Sequence, residues 1–319
     1  VAWRPEHGDH GWVVGPLTAD RATAATHAGS ILVGMIRTPG GDVTGPPAGD
    51  PGGDLADAIV VRPTGPLHGE VRVPGAKNSV LKLMAATILA DGTHEIDNVP
   101  DIADVLIMAE LLAAIGVTTE RPEPGRLRMH HDGDLVPVAP YTLVERIRAS
   151  INVLGPLLTR CGHVRMSLPG GDDFGARPID MHIAGLEAMG ATFKFGHGEL
   201  EAFADRLHGA HVTFEFPSVG ATENLLTAAV LADGVTRIDN AAREPEIIDL
   251  CDMLVSMGAL IDGIGSSTLT VTGVERGSLR PVHHTTVPDR IQAATYLAAV
   301  AVAGGELVVN GARAEHMQM

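Results

Sequence analysis

Residues 80–116 read VLKLMAATILADGTHEIDNVPDIADVLIMAELLAAIG, two helical periods around one short strand. Val80, Leu81, Met84, Ile88 and Leu89 form an apolar stripe that ends at Gly92. His94-Glu95-Ile96 is a strand, and Ile102, Val105, Leu106, Ala109, Leu112 and Ile115 form a second stripe that ends at Gly116. The same text returns further along the chain. Leu89-Ala90-Asp91-Gly92 reappears as Leu231-Ala232-Asp233-Gly234, and the offset of 142 carries Asp97-Asn98 onto Asp239-Asn240 and Gly116 onto Gly258. Leu158 to Gly162 lies halfway between, and Val302-Ala303-Gly304-Gly305 lies beyond. The glycines at 92, 162, 234 and 304 are therefore separated by 70, 72 and 70 residues, a period of about 70.

Each period reads as βαβαββ, with residues 126–130 a following strand in the first and residues 246–257 and 267–271 the second helix and a strand in the third. Such a unit cannot cover its own helices, so several must share a centre. The fold class is α/β (α+β), three complete βαβαββ units plus part of a fourth that reaches Met319 in its second helix.

With 319 residues, 45% hydrophobic and 19% charged, the chain fits roughly two globular domains. No apolar run approaches a membrane span and no targeting pattern opens the chain, so a cytoplasmic location is expected. A formal charge of -16 argues against nucleic acid or an anionic membrane as partner. An anionic ligand would need a local cluster of cations, and lysine occurs only at Lys77, Lys82 and Lys194. Cys161 and Cys251 lie in apolar patterns and read as two buried, reduced thiols. His130-His131 and His283-His284 have no ligand spacing and read as exposed loop residues.

Residues 167–182, SLPGGDDFGARPIDMH, carry the densest chemistry. A Pro169-Gly170-Gly171 turn leads into Asp172 and Asp173, then Arg177-Pro178, Asp180 and His182, the composition of a mobile loop that brings a proton donor to an anion held by a guanidinium. Three helix starts bear further motifs: Lys77 beside a cap at Asn78 or Ser79, Ser218 above Gly220, and Asp289 before Arg290. Unpaired amides at helix starts favour anions.

Ala76-Lys77-Asn78, Arg148-Ala149-Ser150 with Gly155-Pro156-Leu157, the LPGG loop with GARP and Asp180, residues 218–224 (SVGATEN), residues 240–246 (NAAREPE) and Pro288-Asp289-Arg290 resemble, in order and spacing, the UDP-N-acetylglucosamine 1-carboxyvinyltransferase family. The resemblance runs from about Val60 to the C-terminus. It implies an inside-out α/β barrel or prism, helices inside and sheets outside, with six units in two lobes and the substrates between them. Residues 1–57, rich in Gly, Pro and Ala and without sustained periodicity, read from their composition as a disordered extension; the resemblance makes residues 58–78 strands and a hinge of the second lobe. Residues 79–287 are a complete lobe of three units, and residues 288–319 the start of the second lobe, whose further catalytic groups fall beyond Met319.

The resemblance implies phosphoenolpyruvate binding by Lys77, Asn78, Arg148 and Arg177. It implies UDP-N-acetylglucosamine binding by Arg148, Arg177, Pro178, Ile179, Asp180, Met181, Ser218, Val219 and Gly220, with Glu246 and Arg290 also at motif positions. The reaction implied is addition of the sugar 3'-hydroxyl to phosphoenolpyruvate and loss of phosphate, the first committed step of peptidoglycan synthesis, with no metal or organic cofactor. Asp172 stands where the family usually has cysteine, and a carboxylate there is a natural variant. A carboxylic acid donates a proton if burial or neighbouring anions raise its pKa. Fosfomycin alkylates the usual cysteine, so insensitivity is expected. Phe216 stands where many members have a polar or basic residue, and Asn152 replaces an aromatic one. The alternatives are a fragment that binds a UDP-sugar without turnover, and an enolpyruvyl transferase with another acceptor, as in 5-enolpyruvylshikimate-3-phosphate synthase.

Overall fold

The computed structural model describes residues 11–14, 30–35, 59–170, 178–196 and 198–318. The α-helices are α1 (Lys77–Ala86), α2 (Ala103–Ile115), α3 (Tyr141–Val144), α4 (Leu154–Cys161), α5 (Asp180–Ala188), α6 (Val219–Ala229), α7 (Pro245–Met257) and α8 (Arg290–Ala303). The chain divides into two compact units, Val1–Val73 with Arg290–Arg313, and Pro74–Asp289 with Ala314–Met319.

The Pro74–Asp289 unit contains one sheet design three times. In each four-stranded sheet a short strand runs parallel to the strand that follows the first helix of its repeat, and two antiparallel strands complete the order. The sheets are His283–Thr285, Gly92–Asp97, Leu127–His131, Thr118–Glu120; then Val138–Ala139, His163–Ser167, Glu199–Phe203, Thr192–Gly196; then His211–Thr213, Val235–Asp239, Thr268–Thr272, Leu260–Asp262. The first sheet takes its parallel strand from the end of the third repeat, so three units close on themselves. A Gly75–Pro288 bridge joins the chain where it enters and leaves.

Inside the sheets lie α1, α4 and α6. Every residue from Ser79 to Ala86, from Leu154 to Thr159 and from Ala221 to Ala229 is buried, as expected for mostly apolar helices enclosed on every side. Gly155 permits the close crossing of α4 and α6, because a Cβ there would collide with the Asn224 carbonyl and the Thr227 hydroxyl. The second helices present one face inward. In α2 that face is Val105, Met108, Leu111, Leu112 and Ile115. Leu106, expected in the stripe, is 51% exposed, and Ile102 is the extended residue before the helix; with the helix starting at Ala103, the inward phase passes through Met108 and Leu111.

The two halves of the 142-residue offset coincide in detail. Helices α2 and α7 occupy equivalent positions, and both end at a glycine in the left-handed region, Gly116 at φ 106° and Gly258 at φ 112°, a conformation that penalises a Cβ. Asn98 and Asn240 both adopt φ 55°. Their side-chain amides donate to the backbone carbonyls of Thr286 at 2.9 Å and Phe214 at 3.1 Å.

Two expectations about local environment are corrected. His131 and His284 are not loop residues: His131 is buried in a strand with Nε2 3.0 Å from the Thr87 carbonyl, and His284 Nε2 lies 2.7 Å from the Asp249 carboxylate. Cys161 is exposed at the end of α4, where the helix reaches the surface, whereas Cys251 is buried, and its thiol is pushed up to about 12 by burial.

In the other unit, Leu67–Arg72 runs parallel to Gly305–Asn310, which pairs antiparallel with Gly11–Val14. Ser30–Met35 pairs with Ile59–Thr64. Two strands thus form within the stretch expected to be disordered, each pairing with a strand outside it; the rest of 1–57 lies outside the described residues. Among the described residues no helix is long and apolar enough to cross a membrane.

Candidate active site

A cleft of about 780 Å³ opens in the Pro74–Asp289 unit, and its lining is drawn from four helical starts. Lys77 and Asn78 open α1, and Arg148 and Ala149 open the 3-10 segment Arg148–Val153. Pro178 and Met181 flank the start of α5, and Ser218, Val219 and Gly220 start α6. The amino ends of these segments, where helix dipoles are positive, therefore meet the cations Lys77, Arg146 and Arg148.

Each start is fixed by a different contact. The expected cap of α1 by Asn78 or Ser79 is corrected, since the N-cap is Ala76 and both residues lie inside the helix. The Asp289 carboxylate instead accepts from the Lys77 amide at 3.1 Å, while Ser79 Oγ donates to Asp249 at 2.5 Å. Ser218 caps α6 as its sequence suggests, accepting from Ala221 N at 3.3 Å. Arg148 donates to the carbonyls of Pro169 at 3.2 Å and Pro178 at 3.5 Å, fastening both ends of the loop that contains Asp172. At the cleft edge the Lys77 ammonium is 3.2 Å from Asp104 and Arg146 is 2.6 Å from Glu110.

His182 closes the wall between α5 and α6. Gly155 N donates to Asn224 Oδ1 at 2.8 Å, which turns the Asn224 amide nitrogen toward His182 Nδ1 at 3.0 Å. Nδ1 then accepts, and Nε2 carries the proton. Burial, helped by Arg148, lowers the His182 pKa to about 4, so the ring is neutral at pH 7. A Cβ on residue 220 would lie 3.0 Å from this ring, which gives Gly220 a packing role.

Lys82 of α1, behind the lining, and Glu223 of α6, part of it, form an ion pair with side chains 1% and 7% exposed. Burial raises the Glu223 pKa; Lys82 and a hydrogen bond from Asn152 oppose the shift, and Glu246 adds to it. Three repeats thus contribute to one buried polar cluster.

Of the residues named from sequence, Lys77, Asn78, Arg148, Pro178, Met181, Ser218, Val219 and Gly220 line the cleft. Ile179 and Asp180 start α5 without lining it, Glu246 is buried in α7, and Arg290 belongs to the other unit. Asp172, Asp173 and Arg177 lie outside the described residues. The sequence reading missed Arg146, Asp104 and the Lys82–Glu223 pair. The signal for the pair was present, a lysine inside an apolar helix and a glutamate inside another, since a buried charge requires a partner.

Residues 61–319 match the family described as EPSP synthase (3-phosphoshikimate 1-carboxyvinyltransferase). The chain belongs to this family. Among curated relatives of this EPSP synthase family, the UDP-N-acetylglucosamine 1-carboxyvinyltransferase of Corynebacterium jeikeium is 51% identical over 274 residues, 83% of this chain and 63% of the relative. The protein of that name from Mycobacterium tuberculosis is 50% identical with the same coverage. The chain therefore spans about 63% of the length of these relatives. The crystal structure of the enolpyruvyl transferase NikO from Streptomyces tendae is similar with a TM-score of 0.63 at 25% identity, over 73% of this chain and 55% of that one. EPSP synthase from Acinetobacter baumannii shares the fold with a TM-score of 0.58 at 21% identity, over 72% of this chain and 52% of that one. The inside-out α/β architecture of the EPSP synthase family is the fold of this chain.

Proposed function

We propose that this chain belongs to an enzyme that transfers the enolpyruvyl group of phosphoenolpyruvate to the 3'-hydroxyl of UDP-N-acetylglucosamine and releases phosphate, the first committed step of peptidoglycan synthesis, in the cytoplasm. The observation that carries this reading is the convergence of four helical starts and three cations on one cleft, a site for a ligand with several negative charges. Relatives named for UDP-N-acetylglucosamine, at about 50% identity, favour that acceptor over shikimate 3-phosphate.

In the chemistry proposed, the 3'-oxygen bonds to C2 of phosphoenolpyruvate as C3 takes a proton, giving a tetrahedral adduct. C3 then loses a proton, the C2–O bond to phosphate breaks and the enol ether double bond forms; the hydroxyl proton leaves to solvent or phosphate. Lys77, Arg148 and Arg177 offset the charge of phosphoenolpyruvate, Asn78 donates a hydrogen bond to it, and Asp172 supplies the proton to C3. The first turns of α5 and α6 hold the nucleotide sugar, and the neutral His182 offers a donor without adding charge. A second reading follows from the 63% coverage: the described lining of the cleft comes from the Pro74–Asp289 unit, and this chain by itself binds the UDP-sugar without turning it over.

The test is phosphate release from phosphoenolpyruvate by the protein that the full gene encodes. UDP-N-acetylglucosamine should drive release, and shikimate 3-phosphate should not. The reverse preference would replace the acceptor, and release without either would replace the reaction.

A further inference from the structure

We propose that Lys82, behind the cleft, acts on the substrate through Glu223: its buried ammonium masks that carboxylate, and the masking sets how tightly the cleft holds an anionic substrate. The inference deepens the enolpyruvyl-transfer reading and rests on it for the identity of the ligand. Among the described lining residues Lys77, Arg146 and Arg148 are cations, but Asp104 and Glu223 are acids. A bare carboxylate there would repel the ligand that the cations attract.

Each acid is matched to a lysine of α1. The Lys77 ammonium is 3.2 Å from Asp104, and Lys82 pairs with Glu223; these are two of the three lysines in the chain. The two pairs present themselves differently. Lys77 lines the cleft beside its acid, so a ligand meets both charges at once. In the buried pair the acid lines the cleft and the ammonium stands behind it, so the negative end comes first and only Lys82 cancels it. Among the groups that hold Glu223 ionised against its burial, Lys82 is the largest influence; Asn152 assists, and Glu246 opposes.

Helical spacing puts the pair beneath the helix starts that line the cleft. Lys82 follows Asn78 by four residues in α1, and Glu223 follows Val219 by four in α6, the spacing that stacks side chains on one helix face. Enclosure keeps water from screening either charge. Removing the charge of Lys82 therefore leaves a carboxylate that repels the phosphates, and removing the charge of Glu223 leaves an ammonium that attracts them. Both changes strand a buried partner and cost stability, yet they act on the ligand with opposite signs.

The test is calorimetric titration of UDP-N-acetylglucosamine into the protein that the full gene encodes, unsubstituted and as Lys82→Met, Glu223→Gln, and Lys82→Met with Glu223→Leu. It is run at pH 8, where protons that could quench a lone carboxylate are scarce. Lys82→Met should weaken binding by about 5- to 30-fold, Glu223→Gln should tighten it, and the double variant should bind within about 2-fold of the unsubstituted protein. Urea unfolding should show both single variants less stable than the unsubstituted protein. A pair that serves only the fold would lower both affinities together. That result, or single variants that bind as the unsubstituted protein does, would overturn the masking role and leave the functional reading standing. An unsubstituted protein that binds no UDP-N-acetylglucosamine would overturn the functional reading and the inference with it.

Discussion

The carboxylate of Asp289 caps the backbone amide of Lys77, 212 residues earlier in the chain, at 3.1 Å. The residue that ends the three-repeat unit thereby fixes the helix start that begins it, and with it the cation at the cleft edge. Asp289→Ala should destabilise the unit by about 1 kcal/mol, the usual value of a helix cap, and Asp289→Asn by less because its amide oxygen still accepts. Urea unfolding of the three chains checks the order.

Lys82 and Glu223 are worth more as a pair than either is alone. Lys82→Met strands a buried carboxylate and should cost about 3–5 kcal/mol, whereas Lys82→Met with Glu223→Leu should recover most of it. A double-mutant cycle by chemical denaturation measures the coupling, and additive losses would show that the pair does not act as a unit.

His94 is buried with Nε2 2.9 Å from the Ala90 carbonyl, and burial lowers its pKa from 6.5 to about 4. The unfolded chain then binds the proton more readily than the folded one between these values. Stability from this group is complete above about pH 6.5 and falls as the pH drops toward 4, by on the order of 3 kcal/mol. His94→Gln should lose stability at neutral pH but show a shallower decline of melting temperature from pH 6.5 to 5, and the difference between the two profiles isolates His94.

Asp172 gives a chemical prediction, grounded on the family resemblance. A carboxylate is a weaker nucleophile toward an epoxide than a thiolate, so fosfomycin should not label the full-length protein. Asp172→Cys should keep activity and gain a covalent adduct, and Asp172→Asn should lose most turnover because an amide cannot supply the proton. Intact-mass spectrometry with UDP-N-acetylglucosamine present reads the adduct, and labelling of the unsubstituted protein would remove Asp172 from the proposed role.

The repeat was legible in the sequence because glycine and asparagine mark backbone geometry directly: Gly116 and Gly258, Asn98 and Asn240 occupy positive φ in matching places. Helix phase was less legible. Leu106 reads as core by spacing but is 51% exposed, because packing turns Met108 and Leu111 of α2 inward instead. The cap of α1 could not be read locally at all, since Ser79 is drawn inward by Asp249 and the amide it might have served is taken by Asp289. At the cleft, the motif residues were visible one by one, but Arg146 and Asp104 enter it through tertiary position alone.

Carbon NMR of the product formed from phosphoenolpyruvate labelled at C2, UDP-N-acetylglucosamine and the protein encoded by the full gene reads the proposed bond itself. The labelled carbon should appear as an enol ether correlated through oxygen to the proton on C3 of the sugar, with one phosphate released for each ether formed. Label recovered as pyruvate, or as an ether on any other position or acceptor, would contradict it.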